Sequence, residues 1–154
     1  MKLATYPHRR LSPLADHKTL NYLYYHQAGA WAREKGADEA VVFNPEGTIS
    51  ETNSASILVV SGKTVIRPRS SHVLPGVMQD EVTRRLRALG FSIEDHPILP
   101  DAVLGADMVL LTNALMGAVP ALSLDNRPLK CDISLAASLN RGLFIAQEVG
   151  DGLR

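Results

Sequence analysis

Between Ala40 and Lys63 the sequence sets three short β runs one after another, AVVF (40–43), TISE (48–51) and SILVVSG (56–62). Asn44-Pro45-Glu46-Gly47 is a turn signal between the first two, and Ser61-Gly62-Lys63 reads as a hairpin turn into TVIRPR. Helical patterns stand on both sides of this cluster. Leu20, Leu23, Tyr24, Ala28 and Trp31 follow helical spacing, with Gly36 where a left-handed C-terminal cap would sit. The stretch LPGVMQDEVTRRLRALG (74–90) opens on the breaker Pro75-Gly76, carries Asp80 and Glu81 early and Arg84, Arg85 and Arg87 late, and ends on Gly90. Val82, Leu86 and Leu89 make its apolar stripe. Further β runs are expected at FSIED (91–95), DMVLLTN (107–113) and VPALSL (119–124), with a short helical turn near LPDAVLGA and a helix over Leu135 to Val149. Strand clusters interrupted by helices predict a mixed α/β domain, not a regularly alternating βαβ chain.

With 154 residues, 45% of them hydrophobic and 21% charged, the chain is long enough for one globular domain with a real core. The run YPHRRLSPLADH (6–17) has two prolines and no periodicity, so residues 1–16 are expected as an extended arm before a domain over 17–154. Sixteen basic residues cancel sixteen acidic ones, and no whole-molecule field draws nucleic acid or an anionic membrane. The cluster Arg84 to Arg87 is balanced by Asp80 and Glu81 and has no aromatic partner, which argues against a nucleic-acid reader. The lone Cys131 excludes an internal disulfide and a thiolate metal cluster, and suits a reducing compartment. No apolar run approaches the length of a membrane span, and MKLATYPHRRLSPL lacks the apolar core of a secretion signal. A cytoplasmic protein without a metal is the expectation.

Four places could carry chemistry. Lys18, in HKTLNY, stands where the arm becomes an amphipathic helix; a Schiff-base lysine there would need a partly desolvated amine, whereas an ordinary one is simply solvated. Glu51 is the one carboxylate in GTISETNSASILVVSGKTV, a segment otherwise written for a sheet, and its ordinary reading is an outward strand residue. The turn Leu74-Pro75-Gly76 leads straight into a helix, so the backbone N–H groups of Val77 and Met78 are available to hold a phosphate, although most such turns only start helices. DMVLLTN ends in Thr112-Asn113, polar groups at a strand edge before a loop with Gly117 and Pro120. Taken singly, each has a structural explanation at least as strong as its functional one.

Their order changes the balance. The motifs HKTLNY, GADEAVVFNPEGTISE, LPGVM and ADMVLLTNALMGAVP, spread from His17 to Leu124, resemble the fold-type IV pyridoxal phosphate enzymes, the class IV aminotransferases and their relative aminodeoxychorismate lyase. The resemblance implies a mixed α/β, pseudo-barrel cofactor domain with pyridoxal 5'-phosphate as cofactor. It implies that Lys18 binds that cofactor covalently, that Glu51 pairs with its pyridine nitrogen, and that Val77, Met78, Asn113 and Ala114 cradle its phosphate. Tyr22 falls near where some members place a tyrosine on the ring hydroxyl. Asn113-Ala114-Leu115-Met116 and Met78 look most like the lyase, which would release pyruvate from aminodeoxychorismate and leave 4-aminobenzoate for folate synthesis. The alternatives are a class IV aminotransferase for branched-chain or D-amino acids, and a catalytically silent module. Two residues depart from the family's pattern: Ser56, where an asparagine is usual, and Gln79, where an arginine is common. Members also carry a smaller N-terminal domain that closes the pocket and reaches across a homodimer. This chain begins almost at the lysine, and on its own is expected to be inactive toward its small-molecule substrate.

Overall fold

The order of elements follows from where the apolar runs and turn residues fall. In the computed structural model, which describes residues 1–144, the chain runs β1 (Lys2–Thr5), α1 (Leu23–Glu34), β2 (Glu39–Phe43), β3 (Ile49–Thr52), β4 (Ser56–Ser61) and β5 (Thr64–Pro68). It continues as α2 (Val77–Ala88), β6 (Ser92–His96), α3 (Pro100–Gly105), β7 (Met108–Asn113), β8 (Gly117–Pro120), β9 (Ser123–Leu124), β10 (Arg127–Pro128) and α4 (Ile133–Asn140). The strands form two five-stranded sheets, β10-β9-β1-β2-β3 and β6-β5-β4-β7-β8, each with parallel and antiparallel pairs. The mixed α/β fold expected from the sequence is therefore present, and the β cluster near its middle is divided between the two sheets. No helix among the described residues is long and apolar enough to cross a membrane.

The hairpin β2–β3 turns through Asn44 to Gly47: the Asn44 N–H donates to the Thr48 carbonyl at 3.0 Å, and its side chain bonds Thr48 twice more. β4 lies between β5 and β7 with both edges paired, and its two faces are covered by the other sheet and by α2 with α4, which is why SILVV reads as a continuous apolar run. Its side chains divide by alternation. Ile57 and Val59, with Val109 and Leu111 of β7, join a core shared with Leu3, Val41 and Ile49 of the other sheet. Leu58 and Val60, with Met108 and Leu110 of β7, face Val82 and Leu86 of α2 and Leu139 of α4. A third cluster holds α1 down, with Ala28 and Ala32 against Ala4, Tyr6, Ala40 and Val42. Each fully buried Val or Leu in these layers contributes about 1.5–3 kcal/mol.

Five details differ from the sequence reading. Residues 2–5, expected in the arm, form β1 inside the first sheet, parallel to both β2 and β9, with Leu3 and Ala4 buried. Four residues are too few to display alternation, and the pairing is supplied by distant strands. The helix α1 begins at Leu23, so Lys18 and Leu20 precede it in a loop, and Leu20 is 97% exposed. Gly36, with φ 73°, takes the left-handed turn expected of it. On α2, Val82 and Leu86 are buried but Leu89 is 49% exposed; Gln79 and Thr83, one turn earlier on the same side, complete the inward face instead. The run VPALSL is not one strand: it leaves the second sheet as β8 and enters the first as β9, changing sheets at Ala121-Leu122. The final helix covers Ile133–Asn140, and the part of the expected segment from residue 145 onward lies outside the described residues.

Candidate active site

One cleft of about 360 Å³ opens between the loop before α1, the end of β3, the start of α2 and the end of β7. All seven residues singled out in the sequence line it: Lys18, Tyr22, Glu51, Val77, Met78, Asn113 and Ala114. They come from four separate stretches of chain. That volume falls in the range of small-molecule and cofactor sites.

Glu51 sits in β3 opposite Val42 and is 6% exposed, so it is not an outward strand residue. It accepts a hydrogen bond from the Tyr25 hydroxyl and lies 3.5 Å from the Arg10 guanidinium. Burial disfavours its charge and pushes its carboxyl up to about 6, against the opposing pull of the Tyr25 hydrogen bond, Arg10 and Lys18. The Tyr25 hydroxyl is raised well above its ordinary value by burial first and by the neighbouring Glu51 charge second. Near neutral pH the cleft thus holds a carboxylate that is costly to leave charged and gains from a second cationic partner.

Neither Arg10 nor Tyr25 was singled out in the sequence. Arg10 belongs to the arm, and its backbone N–H donates to the Phe43 carbonyl at 2.8 Å, fixing that part of the arm along β2. Its guanidinium stacks 4.6 Å from the Tyr25 ring centroid and donates to the Ala15 carbonyl at 3.2 Å, while Ala15 itself is buried. One side chain therefore ties the turn preceding Lys18 to the carboxylate of β3. The only sequence signal is an arginine in an arm without periodicity, and such a residue is ordinarily solvated.

Lys18 is exposed at the cleft wall, and its ammonium lies 4.8 Å from the Tyr22 ring centroid. The sequence reading asked for a partly desolvated lysine; the protein supplies an aromatic face for it and leaves the amine open to solvent. Tyr22 precedes α1 directly and is 41% exposed, with its ring centroid 6.3 Å from that of Tyr25.

Across the cleft, α2 starts at Val77 after Gly76, and the first bond of the helix is donated by Asp80 N–H to the Gly76 carbonyl at 3.0 Å. The amides of Val77, Met78 and Gln79 have no acceptor within the helix, and the dipole adds positive potential there. Gly76 lets this helix end come close to β4: a Cβ at that position would meet Ser56 Oγ at 2.5 Å. The Gln79 side chain is turned inward, donating to the Ile57 carbonyl at 3.3 Å, so it braces α2 on β4. The Asn113 side chain is occupied by its own turn, accepting from Leu115 and Met116 N–H and donating to the Ser54 carbonyl. Ala114 can offer a ligand only its backbone, while Asn113 keeps one side-chain N–H beyond the one given to Ser54.

Comparisons with known proteins place the fold in a family. A protein of Aquifex aeolicus named as a branched-chain-amino-acid aminotransferase is 30% identical over 94 residues, covering 60% of this chain and 30% of that protein. A solved structure from Legionella pneumophila, named as a 4-amino-4-deoxychorismate lyase, superposes with TM-score 0.83 at 28% identity, covering 91% of this chain and 55% of that one. An aminotransferase from Brucella abortus, solved with pyridoxal phosphate bound, shares the fold with TM-score 0.81 at 23% identity, covering 91% of this chain and 52% of that one. The chain thus spans under a third of the curated relative and about half of the solved neighbours. The model of the class IV amino-transferase family matches residues 2–124, most of the described fold and every wall of the cleft, and the chain belongs to that family.

Proposed function

We propose that the cleft holds pyridoxal 5'-phosphate, and that the protein acts as an aminodeoxychorismate lyase, releasing pyruvate and leaving 4-aminobenzoate. The observation that carries the cofactor reading is Glu51: an acid buried on the cleft wall, kept near its ionisation point, with Arg10 and Tyr25 behind it. The residues fit the group chemically. They offer a primary amine, a carboxylate for a ring nitrogen, and a helix start whose amides are free for a phosphate.

When bound, the cofactor supplies an electron-withdrawing ring that stabilises negative charge on the substrate carbon next to nitrogen. Lys18 Nζ would anchor it covalently and, once displaced by the substrate amine, would take up and return protons. Glu51, held in place by Tyr25 and Arg10, would keep the ring nitrogen protonated. The Val77 and Met78 amides, with the backbone at Asn113 and Ala114, would fix the phosphate, and Tyr22 would flank the ring hydroxyl. This reading also has a homodimer in the cytoplasm. It is supported by the apolar side chains left open beside the cleft, Leu20, Leu23, Val77 and Leu115.

The lyase assignment is supported by the Asn113-Ala114-Leu115-Met116 motif and by the 28% identity to the Legionella structure. A second reading, an aminotransferase for branched-chain amino acids, is favoured by the 30% identity to the Aquifex protein. Supplying aminodeoxychorismate to the cofactor-loaded whole protein, not to this chain alone, without any 2-oxo acid separates them. Stoichiometric pyruvate and 4-aminobenzoate support the lyase. Conversion of branched-chain amino acids only when a 2-oxo acid is present supports the aminotransferase.

A further inference from the structure

Alternation along β4 and β7 assigns one stripe of each strand to the face beneath α2: Ser56, Leu58 and Val60 on the first, Met108, Leu110 and Thr112 on the second. Leu58, Val60, Met108 and Leu110 fill that layer with α2's Val82 and Leu86. At the cleft end the stripe turns polar on both strands at once, because Ser56 and Thr112 are paired across the ladder. Both are buried, Ser56 at 8% and Thr112 at 2% exposure, and both line the cleft. Ser56 lies directly under Gly76, where a Cβ would meet its Oγ. Thr112 Oγ1 is buried with no hydrogen-bond partner among the described residues. A buried hydroxyl left unpaired is destabilising, and valine would fill the same space without that cost.

We infer that the Ser56 and Thr112 hydroxyls form the strand-side wall of a phosphate subsite whose other wall is the start of α2, with Thr112 Oγ1 a direct donor to the anion. The inference rests on the cofactor reading above and extends it to two side chains to which the family resemblance gave no role, Ser56 outside the motifs and Thr112 within the last of them. Its physical basis is a division of labour. The helix offers amides and dipole from one side, and the sheet offers two rotatable hydroxyls from the other. Ser56 takes the position where the family pattern has an asparagine, and it puts a small donor under the helix end, where Gly76 leaves room for little else.

The test is an equilibrium titration of the full chain with pyridoxal phosphate and with pyridoxal, which lacks the phosphate, using inorganic phosphate as competitor. Thr112→Val should weaken pyridoxal phosphate binding by about tenfold or more, the loss expected for a hydrogen bond to a charged group. It should leave pyridoxal affinity unchanged and blunt competition by inorganic phosphate. Thr112→Ser should restore the preference for the phosphorylated ligand, and Ser56→Ala should reduce it less than Thr112→Val. A parent that prefers pyridoxal phosphate, with a Thr112→Val variant that shows the same preference, overturns the inference and leaves the cofactor reading standing. So does a variant that loses both ligands equally, since that marks a disturbed cleft and not a missing donor. A parent that binds neither ligand, or does not distinguish them, overturns both.

Discussion

Replacing Glu51 by Gln in the cofactor-free chain should change how stability depends on pH. Burial moves the carboxyl from an ordinary 4.5 up to about 6, so the folded state holds its proton more tightly than the unfolded state. Its contribution to stability is fully present below 4.5 and is lost as pH rises through about 6. At about 1.36 kcal/mol per tenfold change in proton affinity, that interval amounts to roughly 2 kcal/mol. Glutamine is nearly isosteric and does not titrate, so the variant lacks this term while sharing every other ionisation. Urea unfolding of both proteins from about pH 4 to about pH 8 isolates it, because the shared groups cancel in the difference. The parent should lose roughly 2 kcal/mol more than Glu51→Gln across that range, most of it between 4.5 and 6. Parallel curves would show that Glu51 ionises as freely in the folded chain as in the unfolded one. A parent that gains on the variant as pH rises would mean that Arg10 and Tyr25 outweigh burial, and the account of this acid would be wrong in sign.

Removing the cation tests the same electrostatics from the other side: Arg10→Met should push the Glu51 titration higher still, read as a stability loss displaced to higher pH; an unmoved profile would contradict the pairing. Val77→Pro places proline at the first position of α2, where it suits the helix but lacks an N–H, and should weaken pyridoxal phosphate binding by about tenfold with the melting temperature kept. Met78→Ala, which leaves its amide in place, should bind nearly as the parent does; equal affinities for all three proteins would remove the helix start from the site. Gly76→Ala would drive a methyl into Ser56 Oγ and should destabilise the fold by about 1–3 kcal/mol, checked by thermal unfolding; an unchanged midpoint would show that α2 can shift away from β4 at little cost.

Signals carried by neighbours in sequence could be read before the structure. The turn at Asn44 to Gly47, the charge asymmetry of α2 and the buried run of β4 each belong to one segment, and each led to the right element. The motif residues that line the cleft were found in the same way, through local patterns whose order along the chain was itself informative. What was missed depends on distant partners. β1 is a strand because β2 and β9 flank it, which KLAT alone does not announce. Arg10 and Tyr25 reach Glu51 only after the arm is fixed along β2 and α1 is folded down on the sheet. Leu89 looked like core by spacing, yet it lies beyond the end of α2, where Gly90 turns the chain away with φ 83° and little is left to cover it. Thr112 was read as a strand-edge residue, and its burial without a partner appears only when β4, β7 and α2 are assembled.

The central claim is that Lys18 and Glu51 face a single bound cofactor. It is tested most directly by mixing the chain with pyridoxal phosphate, reducing with borohydride, and mapping the stable adduct by peptide mass spectrometry. The account predicts an adduct on Lys18, lost in Lys18→Ala, together with a visible absorbance band before reduction that the same substitution abolishes. An adduct on Lys35 or Lys63 in place of Lys18, or a Lys18→Ala variant that keeps the band, would contradict it.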